Sequence, residues 1–150
     1  MRTVGSAALA VRVALPLSLA LSGTGAARAA RAAGGEVDAG APRATLTCEH
    51  VADPGRVRCE VEARVDPGES ITWGDVVLLR TPPFATALRG RIGPHDAAVR
   101  EPGLWRWTFA LVARARGAGE LSGRVRVVVC RDQVCGAREV EVAGKVEVGP

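Results

Sequence analysis

The sequence has no tyrosine, a single methionine and only two histidines, and it contains no long stretch with helical periodicity. His50 and His95 stand far apart and in no metal-ligand spacing such as His-x3-His, so no metal site is expected and both read as surface or loop residues. No Gly-x-Ser-x-Gly, phosphate-cradling glycine loop or dinucleotide fingerprint is present, which leaves hydrolase and transferase chemistry without residues and calls for no cofactor. Nor is there a Cys-x-x-Cys opening a helix, the mark of thioredoxin-like oxidoreductases. The one apolar run, Val13 to Leu21, is too short for a membrane span and is interrupted by Pro16.

That run has another reading. Arg2 and Arg12 precede it, and small residues with Ala27-Arg-Ala29 and Ala30-Arg-Ala32 follow it, so residues 1–32 read as a secretory signal peptide. Cleavage after Ala32 removes Arg2, Arg12, Arg28 and Arg31 of the 20 basic residues and none of the 16 acidic ones. The formal +4 therefore belongs to the leader, and nucleic acid is not an expected partner. Four cysteines in the remainder fit an oxidising compartment, periplasmic or secreted, and two disulfides, with three connectivities open. Residues 33–42 read as a flexible leader without periodicity, and one domain is expected over 43–150.

What is abundant in that domain is alternation. Val57, Cys59, Val61, Ala63 and Val65 alternate with charged residues, after a short strand carrying Ala44, Leu46 and Cys48 and a turn at Ala52-Asp-Pro-Gly55. Local pairing of Cys48 with Cys59 would place a structural clamp on the core face. Ile71 to Arg80 turns apolar on both faces, as a central strand of a two-sheet packing does, and Trp73 reads as a core residue. Thr81 to Gly103 shows no convincing strand and reads as a proline-stiffened crossover between sheets. In Leu104 to Ala115, period 2 gathers Trp105, Trp107, Phe109, Leu111 and Ala113 on one face and sets the arginines on the other, which favours core packing over base stacking. Arg116 to Gly119 reads as a turn, and Val146 and Val148 as a last edge segment after a bulge at Gly144.

The stretch from Arg124 to Val142 is the most informative. Val125, Val127 and Val129 alternate before Cys130, Val140 and Val142 alternate after Cys135, and a polar insert lies between. A β-hairpin closed by a Cys130–Cys135 bridge sets Arg126 across from Glu139, Arg124 across from Glu141 and Val125 across from Val140. Cys130 takes the parity of Arg124 and Arg126, which predicts a sulfur near solvent, and adjacent Arg131 would favour a thiolate. The plain alternative is a staple that constrains the unfolded chain.

Strand, Cys130-x4-Cys135 and a Glu139-Val-Glu-Val142 strand, late in an exported all-β domain, resemble the N-terminal periplasmic domain of the DsbD thiol:disulfide interchange proteins. The match covers about residues 120–142, with loose agreement of domain order from about 40. Gly136-Ala137 follow the second cysteine where the family usually has proline. The resemblance implies an immunoglobulin-like sandwich and a redox pair, Cys130 and Cys135, that exchanges with a thioredoxin-like or other periplasmic protein partner. In that family a loop aromatic shields the pair; Phe84 is the one loop aromatic before the hairpin, and its surroundings do not match the family motif. The expected fold is thus an all-β, immunoglobulin-like β-sandwich stapled by disulfides, with six or seven strands. Two functions stay open: a thiol:disulfide carrier through Cys130 and Cys135 with Arg131 as a modulator, and a non-enzymatic binding or structural module in which both pairs are staples.

Overall fold

The computed structural model describes residues 42–150; the predicted signal peptide and the leader up to residue 41 lie outside them. Nine strands follow in order: β1 (Arg43–Cys48), β2 (Arg56–Arg64), β3 (Glu69–Arg80), β4 (Ala85–Ala87), β5 (Arg91–Ile92), β6 (Ala97–Glu101), β7 (Leu104–Ala113), β8 (Gly117–Arg131) and β9 (Val134–Val148). One sheet runs β1-β2-β7, with β4 and β6 sharing the far edge of β7; the other runs β5-β3-β8-β9. Every strand pairing is antiparallel. With β1, β2, β3, β5, β6, β7, β8 and β9 lettered A, B, C, C′, D, E, F and G, these are the ABED and C′CFG sheets of the immunoglobulin sandwich, and β4 is an additional short strand on the edge of β7.

The alternating runs build the core. Val57, Cys59, Val61 and Ala63 of β2 and Trp105, Trp107, Leu111 and Ala113 of β7 face Val76 of β3, Val125, Val127 and Val129 of β8, and Val142 and Val146 of β9. Gly74 lies on this inner face, where an added Cβ would stand 3.0 Å from the Trp107 ring and 3.1 Å from Val127. The Trp107 indole donates to Gly93 O at 3.2 Å, so its one polar atom is satisfied in the core. The sheets also join along one side. Val51, just after β1, bridges Val148 in parallel, donating to Glu147 O and accepting from Gly149 N at 2.9 Å.

Four expectations change. The section 81–103 contains three short strands: β4 lies on β7, the chain crosses to β3 as β5, and β6 returns to β7. Strands of two to five residues are too short to leave a periodic signal, although the crossover between sheets is as expected. Second, Trp73 is half-buried on the outer face and not part of the core cluster. A register shift between Ile71 and Trp73 inserts Thr72 as an extra residue and reverses the parity of everything after it. Third, β8 begins at Gly117 and no turn separates Gly119 from the hairpin. Its small residues make room for neighbours: a Cβ on Gly117 or Gly119 would stand 2.9 Å from Phe84 or Pro82. Fourth, β9 runs unbroken through Gly144, whose missing side chain admits the Leu46 side chain and carbonyl.

Candidate functional site

The hairpin β8–β9 has the register expected of it: Arg126 opposite Glu139, Arg124 opposite Glu141, Val125 opposite Val140 and Cys130 opposite Cys135. Arg124 pairs with Glu141 at 2.8 Å and with Glu139 at 3.5 Å. The turn is Asp132-Gln133, with Asp132 at φ 53°, as a two-residue primed turn requires at its first central position. In such a hairpin the pair flanking the turn, Arg131 and Val134, exchanges hydrogen bonds. Cys130 and Cys135 then form the next, non-hydrogen-bonded pair, in which side chains lie closest. They are disulfide-bonded, as are Cys48 and Cys59, and no described cysteine is free.

The two sulfurs differ in environment. Cys135, on the edge strand β9, is exposed, whereas Cys130 is only 9% exposed because β3 runs beside it. Thr72 Oγ1 stands 3.6 Å from Cys130 Sγ, and Ser70 Oγ donates to Cys130 O at 3.5 Å. The expectation that the Cys130 sulfur faces solvent therefore does not hold; the exposed cysteine of the pair is Cys135. Parity was read rightly, but Cys130 lies on an inner strand whose neighbour covers it.

Arg131 is turned to the other side of the sheet. Adjacent residues on a strand point to opposite faces, and its guanidinium reaches Glu69 at 3.3 Å. Arg138 of β9 donates to the same carboxylate from two nitrogens, at 3.0 and 3.2 Å. Glu69 opens β3 and its side chain is fully buried. The Arg138 hydrogen bonds hold its carboxyl below the usual range against the opposing effect of burial. Residues on either side of the cysteine turn thus clamp one carboxylate under the hairpin. Sequence reasoning missed Glu69, which stands in a turn-like Asp-Pro-Gly-Glu context that hides its burial.

A second buried carboxylate sits on the outer face. Asp75 is 0% exposed and accepts from Arg126 at 2.8 and 2.5 Å and from Arg91 at 2.5 Å. Burial pushes its carboxyl up, but the hydrogen bonds from Arg126 and Arg91 outweigh it and the net shift is downward. An acid inside an otherwise apolar strand was the available signal, since such a residue is seldom buried unpaired.

The Cys48–Cys59 bridge joins β1 to β2, with Cys59 1% exposed in the core. Phe84 packs over Gly117, at the opposite end of β8 from Cys130. Both histidines are exposed, with His50 Nε2 2.7 Å from Gly149 O. Among the described residues no group of three or more His, Cys, Asp or Glu is placed to hold a metal, and no helix is long and apolar enough to cross a membrane.

No family model and no curated protein matches the sequence. Solved structures similar to the chain include BslA, a bacterial hydrophobin, at 11% identity, covering 73% of this chain and 95% of that one with a TM-score of 0.36. The seventh ScaB type I cohesin from Pseudobacteroides cellulosolvens is similar at 11% identity, 71% and 92% coverage and a TM-score of 0.39. AggA, the major subunit of aggregative adherence fimbriae type I from Escherichia coli, gives 7% identity, 73% and 96% coverage and 0.35. These likenesses concern the sandwich alone; the immunoglobulin-like assignment stands on the strand order.

Proposed function

We propose that this chain is a non-enzymatic β-sandwich module of an exported protein, periplasmic or secreted, in which both disulfides are structural staples. The observation that carries this is the surroundings of Cys130. A thiolate there would be 9% exposed, with one hydroxyl at 3.6 Å as its polar neighbour. The nearest cation in sequence, Arg131, is turned away onto Glu69. Burial without a facing cation raises a thiol pKa and makes the cysteine a poor nucleophile. Two disulfides also fit an oxidising compartment.

A redox titration of the folded protein, with mass spectrometry of alkylated cysteines following each pair, tests the reading. Staples resist reduction to below about −300 mV and open only as the fold is lost. The second reading, a thiol:disulfide carrier like the DsbD N-terminal domain with a thioredoxin-like partner, draws support from Cys135. That residue is exposed beside a two-residue turn, where an incoming thiolate has access. Selective opening of Cys130–Cys135 near about −270 mV, with Cys48–Cys59 intact, is the outcome that favours the carrier.

A further inference from the structure

The register of β9 sorts its backbone groups into two sets. Val134, Gly136, Arg138 and Val140 turn their N–H and C=O groups to β8, whereas Cys135, Ala137, Glu139 and Glu141, in the pairs between, turn theirs away from it. The far end of the strand agrees with this parity, since Glu147 O and Gly149 N, on the outward side, are taken up by Val51. From Cys135 to Glu141 no described backbone group answers the outward set, because β9 is the last strand of its sheet. All four of these residues are exposed.

Sheet edges are ordinarily blunted by a short strand, a proline, a bulge or a charge aimed across the edge. Shortness protects β4, β5 and β6, which have three, two and five residues. In contrast, β9 has fifteen, contains no proline, and keeps its register with β8 without a shift from Val134 to Val148. Its one lysine, Lys145, lies toward the covered end and pairs with Glu147. Arg138, on the inner side, is drawn under the hairpin to Glu69 and is 18% exposed, so it does not obstruct the edge.

Charge decides what fits there. Glu139 and Glu141 share one guanidinium, that of Arg124, at 3.5 and 2.8 Å, and Arg126, across from Glu139, is spent on Asp75. The edge strand therefore keeps uncompensated negative charge. A second copy suits it poorly: pairing two β9 edges about Glu139 sets that acid against itself, and pairing about Val140 sets Glu139 against Glu141. Residues 33–41, ahead of β1, carry Glu36 and Asp38 and no base. On its other side β9 already shows the pattern it accepts, with arginines across from Glu139 and Glu141 and Val125 across from Val140.

We propose that the free edge of β9 takes up an extended segment of a partner protein, basic and apolar at alternate positions, as an added antiparallel strand. The segment exchanges N–H···O=C bonds with Ala137, Glu139 and Glu141. Its bases stand across from the two acids, and the apolar residue between them covers Val140. Val134, 77% exposed beside the turn, extends the apolar surface on the same side. No thiol takes part, so the proposal does not depend on the role of the disulfides. With few residues paired and the charges exposed, the expected affinity is about 0.1–1 mM, and it weakens with salt.

The test is an amide-resolved NMR titration of the protein with the acetylated, amidated peptide Thr-Val-Arg-Val-Arg-Val-Thr, and with its counterpart carrying glutamate for both arginines. Saturable shifts at Ala137, Glu139 and Glu141 are expected with the arginine peptide, and binding at least about fivefold weaker with the glutamate one. N-methylation of both peptide arginines removes the N–H groups that face β9 and should abolish binding, whereas N-methylation of two valines, whose N–H groups face away, should spare it. Ala137→Pro removes one outward N–H without touching the β8 ladder, and should weaken binding at an unchanged thermal midpoint. Glu139→Gln combined with Glu141→Gln should weaken it by about fivefold and flatten its salt dependence. Equal binding of the two peptides, or equal loss from methylation on either side, overturns the proposal. So does the lack of a saturable shift up to about 10 mM. Slow hydrogen exchange at Ala137 and Glu139 in the free protein would overturn it as well, by showing a second copy or residues 33–41 already on the edge.

Discussion

Replacing Cys130 and Cys135 together by alanine should destabilise the fold by about 2 kcal/mol, with the loop-closure relation supplying the figure. The bridged residues are five apart in sequence, so little chain entropy is removed from the unfolded state. Cys48 and Cys59 are eleven apart, for which the same relation gives about 3 kcal/mol. Packing widens that gap, since Cys59 is 1% exposed in the core, whereas Cys135 is exposed. The native register does not depend on the Cys130–Cys135 bridge. β8 and β9 stay paired from Gly117–Val148 to Arg131–Val134, so the variant should keep its fold and cooperativity. Urea unfolding followed by tryptophan fluorescence reads the effect: the midpoint should fall by about 1 M with the slope unchanged. An unchanged midpoint would mean that the bridge does not constrain the unfolded chain, and the staple reading would fail with it. A larger loss at Cys130–Cys135 than at Cys48–Cys59 would equally refute the loop-length and packing argument.

The two buried carboxylates predict a pH dependence. Glu69 and Asp75 both have lowered pKa values in the folded protein, from ordinary values of 4.5 and 3.8, so the stability they contribute is present above those values and lost as pH falls through the folded ones. Thermal midpoints should hold between about pH 7 and 5 and drop below about pH 4, and Glu69→Gln should lower the plateau and make the drop shallower. A Glu69→Gln profile running parallel to the unsubstituted protein at every pH would count against the clamp. Gly144→Ala should cost roughly 2–3 kcal/mol, because the new Cβ would overlap the Leu46 side chain and stand 2.6 Å from its carbonyl oxygen. Adding Leu46→Ala should not restore stability, since the carbonyl remains; full restoration in a denaturation series would show that the side chain alone is the obstacle.

Strict period 2 made β2, β7 and the register of the hairpin legible, because each of these strands has one buried face and a slip would expose it. Legibility ended wherever the period changed. A single bulge at Thr72 moved Trp73 to the outer face and put Asp75 there as well, beneath two arginines from β5 and β8. At the candidate site, the proximity of Arg131 to Cys130 in sequence suggested an electrostatic partner, yet the alternation that located the valines also sets adjacent residues on opposite faces. Burial of Cys130 lay beyond a single-strand pattern altogether. It comes from β3, which meets β8 through residues about sixty positions away.

Both bridges tie an edge strand to its inner neighbour near a strand end: Cys48 is the last residue of β1, and Cys135 is the second of β9. Strand ends at sheet edges have hydrogen-bond partners on one side only and open most easily. The core offers few large side chains with which to hold them. Of the largest fully buried residues one is tryptophan, while seven are valines. Each valine buries less apolar area than a leucine or an aromatic side chain, so the free energy gained per core position is small. A covalent link at each vulnerable strand end compensates without adding bulk to the core. The ion-paired Glu69 then secures the same hairpin from beneath, through Arg131 and Arg138, where a larger apolar side chain would otherwise be needed.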